Sequence, residues 1–139
     1  MSFGVGSILA RFLPLPLVPH VLRYPAQVLG VIAIVAAVVL IASAPLLFLM
    51  HRTTLVPHGN AQALVLGGPF RISRNPMYLG LTIAYLGVTL LRASAWPLLF
   101  LAIPLWVVRS KTIPFEEAAM TRLFGDEYRA YQRRVRRWL

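Results

Sequence analysis

The sequence contains no cysteine. That excludes a disulfide, a thiolate nucleophile and any cysteine-based metal site. Histidine is scarce: His20, His51 and His58 are scattered, and Pro57 would break any helix that paired His51 with His58. No metal site is expected. Acidic residues number only four against 14 basic ones, and Glu116, Glu117, Asp126 and Glu127 all fall in one short window. None lies inside an apolar run, which argues against a proton or cation pathway through this chain alone. No internal repeat, low-complexity tract or second domain is visible. The first apolar stretch has no basic n-region before it and no A-x-A site after it, so a cleaved signal peptide is not expected.

What the sequence has in abundance is apolar length. A chain of 139 residues is ordinarily one domain. A hydrophobic content of 58% and a mean hydropathy of +0.71 point to lipid. A net charge of +10 would suggest nucleic acid in a soluble protein. Beside membrane spans it reads instead as the basic excess of cytoplasmic flanks, and nucleic acid is not an expected partner. Residues 26–50, "AQVLGVIAIVAAVVLIASAPLLFLM", carry no charge and are long enough to cross a bilayer, with Pro45 expected to kink the helix near its end. Two shorter apolar runs, 77–91 and 93–108, are separated by Arg92. Together, over 76–108, they read as a tight helical hairpin with Arg92 snorkelling at the far surface and Trp96 and Trp106 near the interfaces. Residues 1–25 carry Arg11 and prolines 14, 16 and 19; they read either as a short first span or as a segment lying in the interface.

The charges orient these spans. Residues 51–75 hold Arg52, Arg71 and Arg74, and residues 109–139 hold most of the remaining base, whereas the opposite side has only Arg23 and Arg92. The positive-inside rule places both basic segments in the cytoplasm, with a bacterial inner membrane as the expected location. The expected fold is an all-α integral membrane protein of about three to four transmembrane helices, including the hairpin, with a cytoplasmic C-terminal helical tail.

Two segments ask for more than this. "GGPFRISRNPMYLG", residues 67–80, opens on two glycines and collects two prolines, two arginines, an asparagine and a tyrosine at the mouth of a span. The plainer reading is a turn before a helix, with Pro76 at the first helical position. The tail "IPFEEAAMTRLFGDEYRAYQRRVRRWL" reads as two helices. Pro114 suits a first turn, Glu116 and Glu117 follow at the positive end of the dipole, Gly125 stops the helix and Asp126 caps the next. Met120, Phe124, Tyr128, Tyr131 and Val135 form one apolar stripe. An amphipathic tail on anionic lipid explains the arginines and the stripe, but the double glutamate less well.

The pair "LVLGGPFRISRNPMYLG" and "IPFEEAAMTRLFGDEYRAYQRRVRRWL" resembles the isoprenylcysteine carboxyl methyltransferase family, its short bacterial members most closely, and the related phospholipid methyltransferases. The similarity covers roughly Leu13 to Leu139, with both blocks in the family's order and a hairpin between them. The resemblance implies a membrane-embedded methyltransferase using S-adenosylmethionine from the cytoplasm and a lipophilic small-molecule or lipid-linked acceptor delivered through the bilayer. It also implies a helical fold unlike the doubly wound methyltransferases; "GGPF" precedes no βαβ pattern. The family's arginine–histidine–proline–x–tyrosine signature falls on Arg74, Asn75, Pro76, Met77 and Tyr78, with Asn75 in place of histidine. Its paired glutamates fall on Glu116 and Glu117, and its phenylalanine–glycine–x–glutamate–tyrosine block on Phe124 to Tyr128. The N-terminal span is abbreviated relative to the family.

Methyl transfer is an in-line displacement at a sulfonium carbon, for which a protein supplies orientation, desolvation and electrostatics, with neither metal nor cysteine. Gly67 and Gly68 would let backbone approach a ligand. Arg74 would pair with the cofactor's carboxylate or an anionic acceptor, its fork suiting a bidentate contact; otherwise it is a basic membrane anchor. Asn75 keeps hydrogen bonding at the signature's second position, and Tyr78 would bond the cofactor or serve as a belt aromatic. Glu116 and Glu117 would accept from ribose hydroxyls or the cofactor's ammonium; otherwise they are helix-start acids. Tyr128 and Tyr131 would close the pocket or pack the tail. Arg74 and Glu116 are the expected catalytic pair; Gly68, Arg74, Asn75, Tyr78, Glu116, Glu117 and Tyr128 are the expected cofactor-binding set. Arg109 or Lys111 could meet an anionic acceptor, and His58 is the one histidine placed to act as a base. A carboxylate acceptor is already ionised and needs no base, which favours O-methylation over methylation of a lipid amine. Two other classes stay open: a reductase of the sterol-reductase type using a nicotinamide cofactor, and a non-catalytic lipid-binding membrane protein.

Overall fold

The computed structural model of the chain describes Ile8, residues 16–50 and residues 64–139, except for the Phe48 side chain. His51, Arg52 and His58, and Arg11 with most of the first segment, lie outside the described residues, and so do the expectations that rest on them. Among the described residues the regular structure is helical, joined by turns and short extended stretches, with one isolated bridge between Pro16 and Ser94.

A short 3-10 turn, His20–Leu22, leads into helix α1, Arg23–Met50. Its 28 residues span roughly 42 Å at 1.5 Å per residue, more than the hydrocarbon thickness of a bilayer. Pro45 lies inside it and withdraws one donor from the ladder, and the helix runs on to Met50. Large apolar side chains such as Val31, Val35, Val38, Val39 and Leu46 stand exposed, while Ala26, Ala37 and Ala44 are buried. The helix therefore turns a narrow face of small residues inward and a broad branched face outward, as lipid-facing helices do.

That narrow face meets helix α2, Pro76–Arg92, in antiparallel register. A Cβ on Gly87 would stand 2.8 Å from the Gly30 carbonyl oxygen, and one on Gly30 would stand 2.8 Å from that of Gly87. The two backbones touch there. Further along, Gly80 faces Ala37 and Ile41, and Gly68 at the loop faces Leu47. Small residues replace side-chain bulk with backbone proximity, which is how helices associate where no hydrophobic effect separates them from lipid.

Helix α2 ends at Arg92, with Ala93 in the left-handed region at φ 48°, and helix α3, Trp96–Val107, begins three residues after Ala93 with Pro97 in its first turn. The Tyr85 hydroxyl donates to the Pro97 carbonyl at 2.7 Å and pins this turn. The hairpin is tight only there. The expected close packing along its length is replaced by the α1–α2 pair; α3 has no glycine to permit backbone approach. The Leu17 amide donates to the Ala93 carbonyl at 3.0 Å, so residues 16–19 lie at the turn, at the same end as the start of α1.

No loop separates α3 from the tail. Val108–Thr112 form a π turn that continues into helix α4, Ile113–Arg134. Pro114 cannot donate to the carbonyl four residues back, so a wider turn at this point costs little. Gly125 (φ 51°, ψ −121°) breaks the helical path inside α4, where the sequence places a stop between two helices. The stripe is partly realised: Tyr128 and Tyr131 are buried. Beyond Arg134 the backbone becomes extended, at Val135, and residues 135–139 double back across the loop that precedes α2. His20–Leu47 and Trp96–Arg134 are long and apolar enough to cross a membrane, and α2 is a shorter apolar helix.

Candidate functional site

The loop before α2 is shaped by its own residues. Gly68 adopts φ 55°, Pro69 opens a 3-10 turn over Gly68–Arg71, and Pro76 starts α2. The missing side chain of Gly68 makes room for Leu47 of α1; a Cβ there would lie 2.6 Å from its Cδ1. Gly68 therefore seats the loop on the helix pair. Gly67 has open space around it.

The tail meets this loop through both glutamates. The Tyr78 hydroxyl donates to Glu116 Oε1 at 2.7 Å. Arg74 Nη2 lies 3.3 Å from Glu117 Oε1, and both side chains are only 12% exposed. Arg137 approaches the same carboxylate with its fork, Nε to Oε1 at 3.2 Å and Nη2 to Oε2 at 2.7 Å. That hydrogen bond holds Arg137 above the ordinary guanidinium range. One carboxylate thus serves two guanidinium groups, and with Glu116 the cluster sets two acids against two bases. Among the described residues Arg74 Nε is buried without a hydrogen-bond partner, a donor left over for a ligand.

Residues 135–139 supply the third side. The Arg74 amide donates to the Arg136 carbonyl at 2.9 Å. The Arg137 carbonyl accepts from Ser73 Oγ at 3.2 Å and from Asn75 Nδ2 at 2.9 Å, while the Asn75 amide donates to Ser73 Oγ. Asn75 occupies the N-cap position of α2 and makes no capping bond; its side chain is spent on residue 137. The Tyr131 hydroxyl donates to the Phe70 carbonyl at 2.7 Å, and the Tyr128 and Tyr131 rings tilt against each other at 5.9 Å. Burial, with the Glu117 carboxylate adding to it, pushes the Tyr128 hydroxyl up to about 12, so it stays neutral in the working range of a cell.

A cavity of about 350 Å³ is lined by Thr82, Leu105, Arg109 and Trp138. Thr82 lies one turn beyond Tyr78 and donates to its carbonyl, which places this cavity next to the polar cluster. Lys111 Nζ instead sits 5.9 Å from the centroid of the Trp106 ring.

The structure therefore brings together Arg74, Asn75, Tyr78, Glu116, Glu117 and Tyr128, and sets Gly68 against α1 at the edge of the group. Sequence reasoning missed Arg137 as a partner of Glu117, the carbonyls of residues 136 and 137, and Trp138 as a cavity wall. Nothing in "RRVRRWL" separates Arg137 from its basic neighbours.

Comparison with known proteins points the same way. The family model described as phospholipid methyltransferase matches residues 25–127. A probable protein-S-isoprenylcysteine O-methyltransferase of Oryza sativa is 32% identical over 72 residues, 52% of this chain and 38% of the relative. The protein-S-isoprenylcysteine O-methyltransferase of Schizosaccharomyces pombe is 35% identical over 72 residues, 52% of this chain and 30% of the relative. An uncharacterised Haemophilus influenzae protein is 40% identical over 63 residues, 45% of this chain and all of the relative. The match thus spans well under half the length of the named methyltransferases. No solved structure matches. The family model covers most of the helices and both glutamates of the site, and the chain belongs to the phospholipid methyltransferase family.

Proposed function

We propose that the chain is an integral membrane methyltransferase that uses S-adenosylmethionine to methylate a lipophilic acceptor delivered through the bilayer. The observation that carries this reading is the meeting of the two family-like segments: Arg74 faces Glu117 at 3.3 Å and Tyr78 bonds Glu116 at 2.7 Å across a buried junction. The donor set fits the cofactor, which presents a carboxylate, an ammonium and ribose hydroxyls and so needs both donors and acceptors. The unpartnered Arg74 Nε suits its carboxylate, and Glu116 suits its hydroxyls or ammonium. S-adenosylmethionine supplies the methyl group already activated on a sulfonium sulfur, so no metal or covalent nucleophile is called for. The protein's own share is to orient: Tyr78 fixes the Glu116 carboxylate, Glu117 fixes Arg74, Asn75 and Gly68 hold the loop, and buried Tyr128 helps to exclude water.

The acceptor enters by the cavity at Thr82, Leu105, Arg109 and Trp138, where Arg109 offers a cation to an anionic end. That favours O-methylation of a lipophilic carboxylate, ionised without a base. The family's description supports N-methylation of a lipid amine as the second reading. The loop before α2 and the tail face the cytoplasm.

Thermal unfolding in detergent separates this reading from a nicotinamide-dependent reductase and from a non-catalytic membrane protein. S-adenosylhomocysteine should raise the unfolding midpoint as its concentration passes the dissociation constant, and NADPH should leave it unchanged. A shift with NADPH alone, or with neither, overturns the proposal.

A further inference from the structure

We infer that residues 135–139 are a strap that completes the site, and that Arg137 is a positioning residue which holds Glu117, and through it Arg74, ready for the methyl donor. The inference rests on the methyl-donor reading for its ligand, but the strap itself is visible without one.

The strap is tied at three points that do not depend on charge: the Arg136 carbonyl takes the Arg74 amide, and the Arg137 carbonyl takes Ser73 Oγ and Asn75 Nδ2. Ser73 and Asn75 are buried, so these bonds fix the backbone at the entrance to α2. A fourth tie is the Arg137 fork on Glu117. Without it, the Glu117 carboxylate would keep only the single 3.3 Å contact to Arg74 Nη2. A lone contact of that length leaves the carboxylate free to rotate and lets Arg74 swing with it. With the fork in place, both Glu117 oxygens are occupied, Arg74 is held from one side, and its buried Nε is left as the donor for an anion. Two guanidinium groups meet at one carboxylate, so donors remain on that side of the cluster for an anionic group such as the carboxylate of the methyl donor. Trp138, next along the strap, forms part of the cavity wall, so one segment spans the polar cluster and the cavity.

Arg136 is the internal control. It carries the same charge on the same strap, but its side chain is exposed and only its carbonyl takes part. Four purified proteins are compared in detergent: the parent, Arg137→Gln, Arg137→Lys and Arg136→Gln. The first readout is affinity for S-adenosylhomocysteine. Arg137→Gln should weaken it roughly ten- to a hundredfold, the range for a charge-assisted hydrogen bond. Arg137→Lys should recover part of that loss, because it restores the charge but not the fork. Arg136→Gln should stay within about twofold of the parent, as exposed substitutions do. The second readout needs no ligand: hydrogen exchange at the Arg74 amide should be faster in Arg137→Gln than in the parent or Arg136→Gln. If Arg137→Gln binds as tightly as the parent, or tighter, Arg137 only occupies the donor's place and the positioning role is overturned. Unchanged Arg74 exchange means that the three backbone ties hold the segment without the fork, and overturns the part given to the Arg137 side chain in positioning it. If the parent binds no S-adenosylhomocysteine, the methyl-donor reading and the role for Arg137 towards it both fall, while faster exchange still upholds the strap.

Discussion

Glu117 shows how much of a site a single side chain can hide. Read along the chain it is one of two adjacent acids at the start of a tail helix; in the fold it joins Arg74, from the loop, to Arg137, from the strap. The meeting of Arg74, Tyr78, Glu116 and Glu117 was legible, because charge and aromatic residues concentrate in two short blocks flanking the hairpin. Two of the expected binding residues also have partners within the fold. Asn75 gives its amide to the Arg137 carbonyl, and Gly68 opens space for Leu47. Neither could be read beforehand: an extended strap leaves no periodicity to set its register against a loop some sixty residues away, and an apolar helix does not say which of its side chains a glycine will face. At this scale Tyr78→Phe is informative. It removes the 2.7 Å bond to Glu116 without changing the ring. A hydrogen bond to a charged group contributes about 1.5–3 kcal/mol, so cofactor affinity measured by titration should fall roughly tenfold or more. Arg74→Lys should weaken affinity as well, because a point charge cannot present both the Glu117 contact and the Nε donor; undiminished binding would reduce Arg74 to a membrane anchor.

At the scale of elements, uncharged length made α1 plain, Arg92 marked the turn of the hairpin, and Gly125 marked the break in the tail helix. The partner of α2 was not plain. Apolar composition says that a helix enters lipid but not which neighbour it packs on, and the small-residue face formed by Ala26, Gly30, Ala37 and Ala44 decides that. Continuity from α3 into α4 was equally hidden, because Pro114 looks like a helix start whether a loop or a π turn precedes it. Gly87→Ala should therefore destabilise the protein. Its Cβ would meet the Gly30 carbonyl oxygen and Ile34 Cγ1, each at 2.8 Å, and the backbone partner cannot yield. Overpacking of this kind costs about 1–3 kcal/mol, visible as a lower thermal midpoint in detergent. Gly67→Ala, with open space around it, should leave the midpoint within error. Gly125→Ala probes the tail instead. Nothing crowds the position, but φ 51° with ψ −121° strains any L side chain by about 1–3 kcal/mol, so the midpoint should fall without a clash.

At the scale of the molecule, the antiparallel α1–α2 pair, the turn at Ala93 and the returning α3–α4 run bring the loop and the tail to one end, and residues 16–19 and Ser94 to the other. The absence of cysteine makes this simple to check, since each introduced thiol is unique. Single cysteines at exposed Ile72 and Leu139 should react from the same side of the membrane, and a cysteine at Ser94 from the opposite side. Reaction of Ile72 and Leu139 from opposite sides would separate the loop from the tail. The central claim is that these two segments form one pocket for S-adenosylmethionine. Calorimetric titration of S-adenosylhomocysteine tests it most directly when the parent is run beside Glu116→Gln and Arg134→Gln. Arg134 is exposed, and its Nε makes a 3.4 Å approach to the Ala130 carbonyl within its own helix. Saturable one-site binding is predicted for the parent and Arg134→Gln, with affinity roughly ten- to a hundredfold weaker in Glu116→Gln. No saturable heat with the parent, or equal affinity in all three proteins, would contradict it.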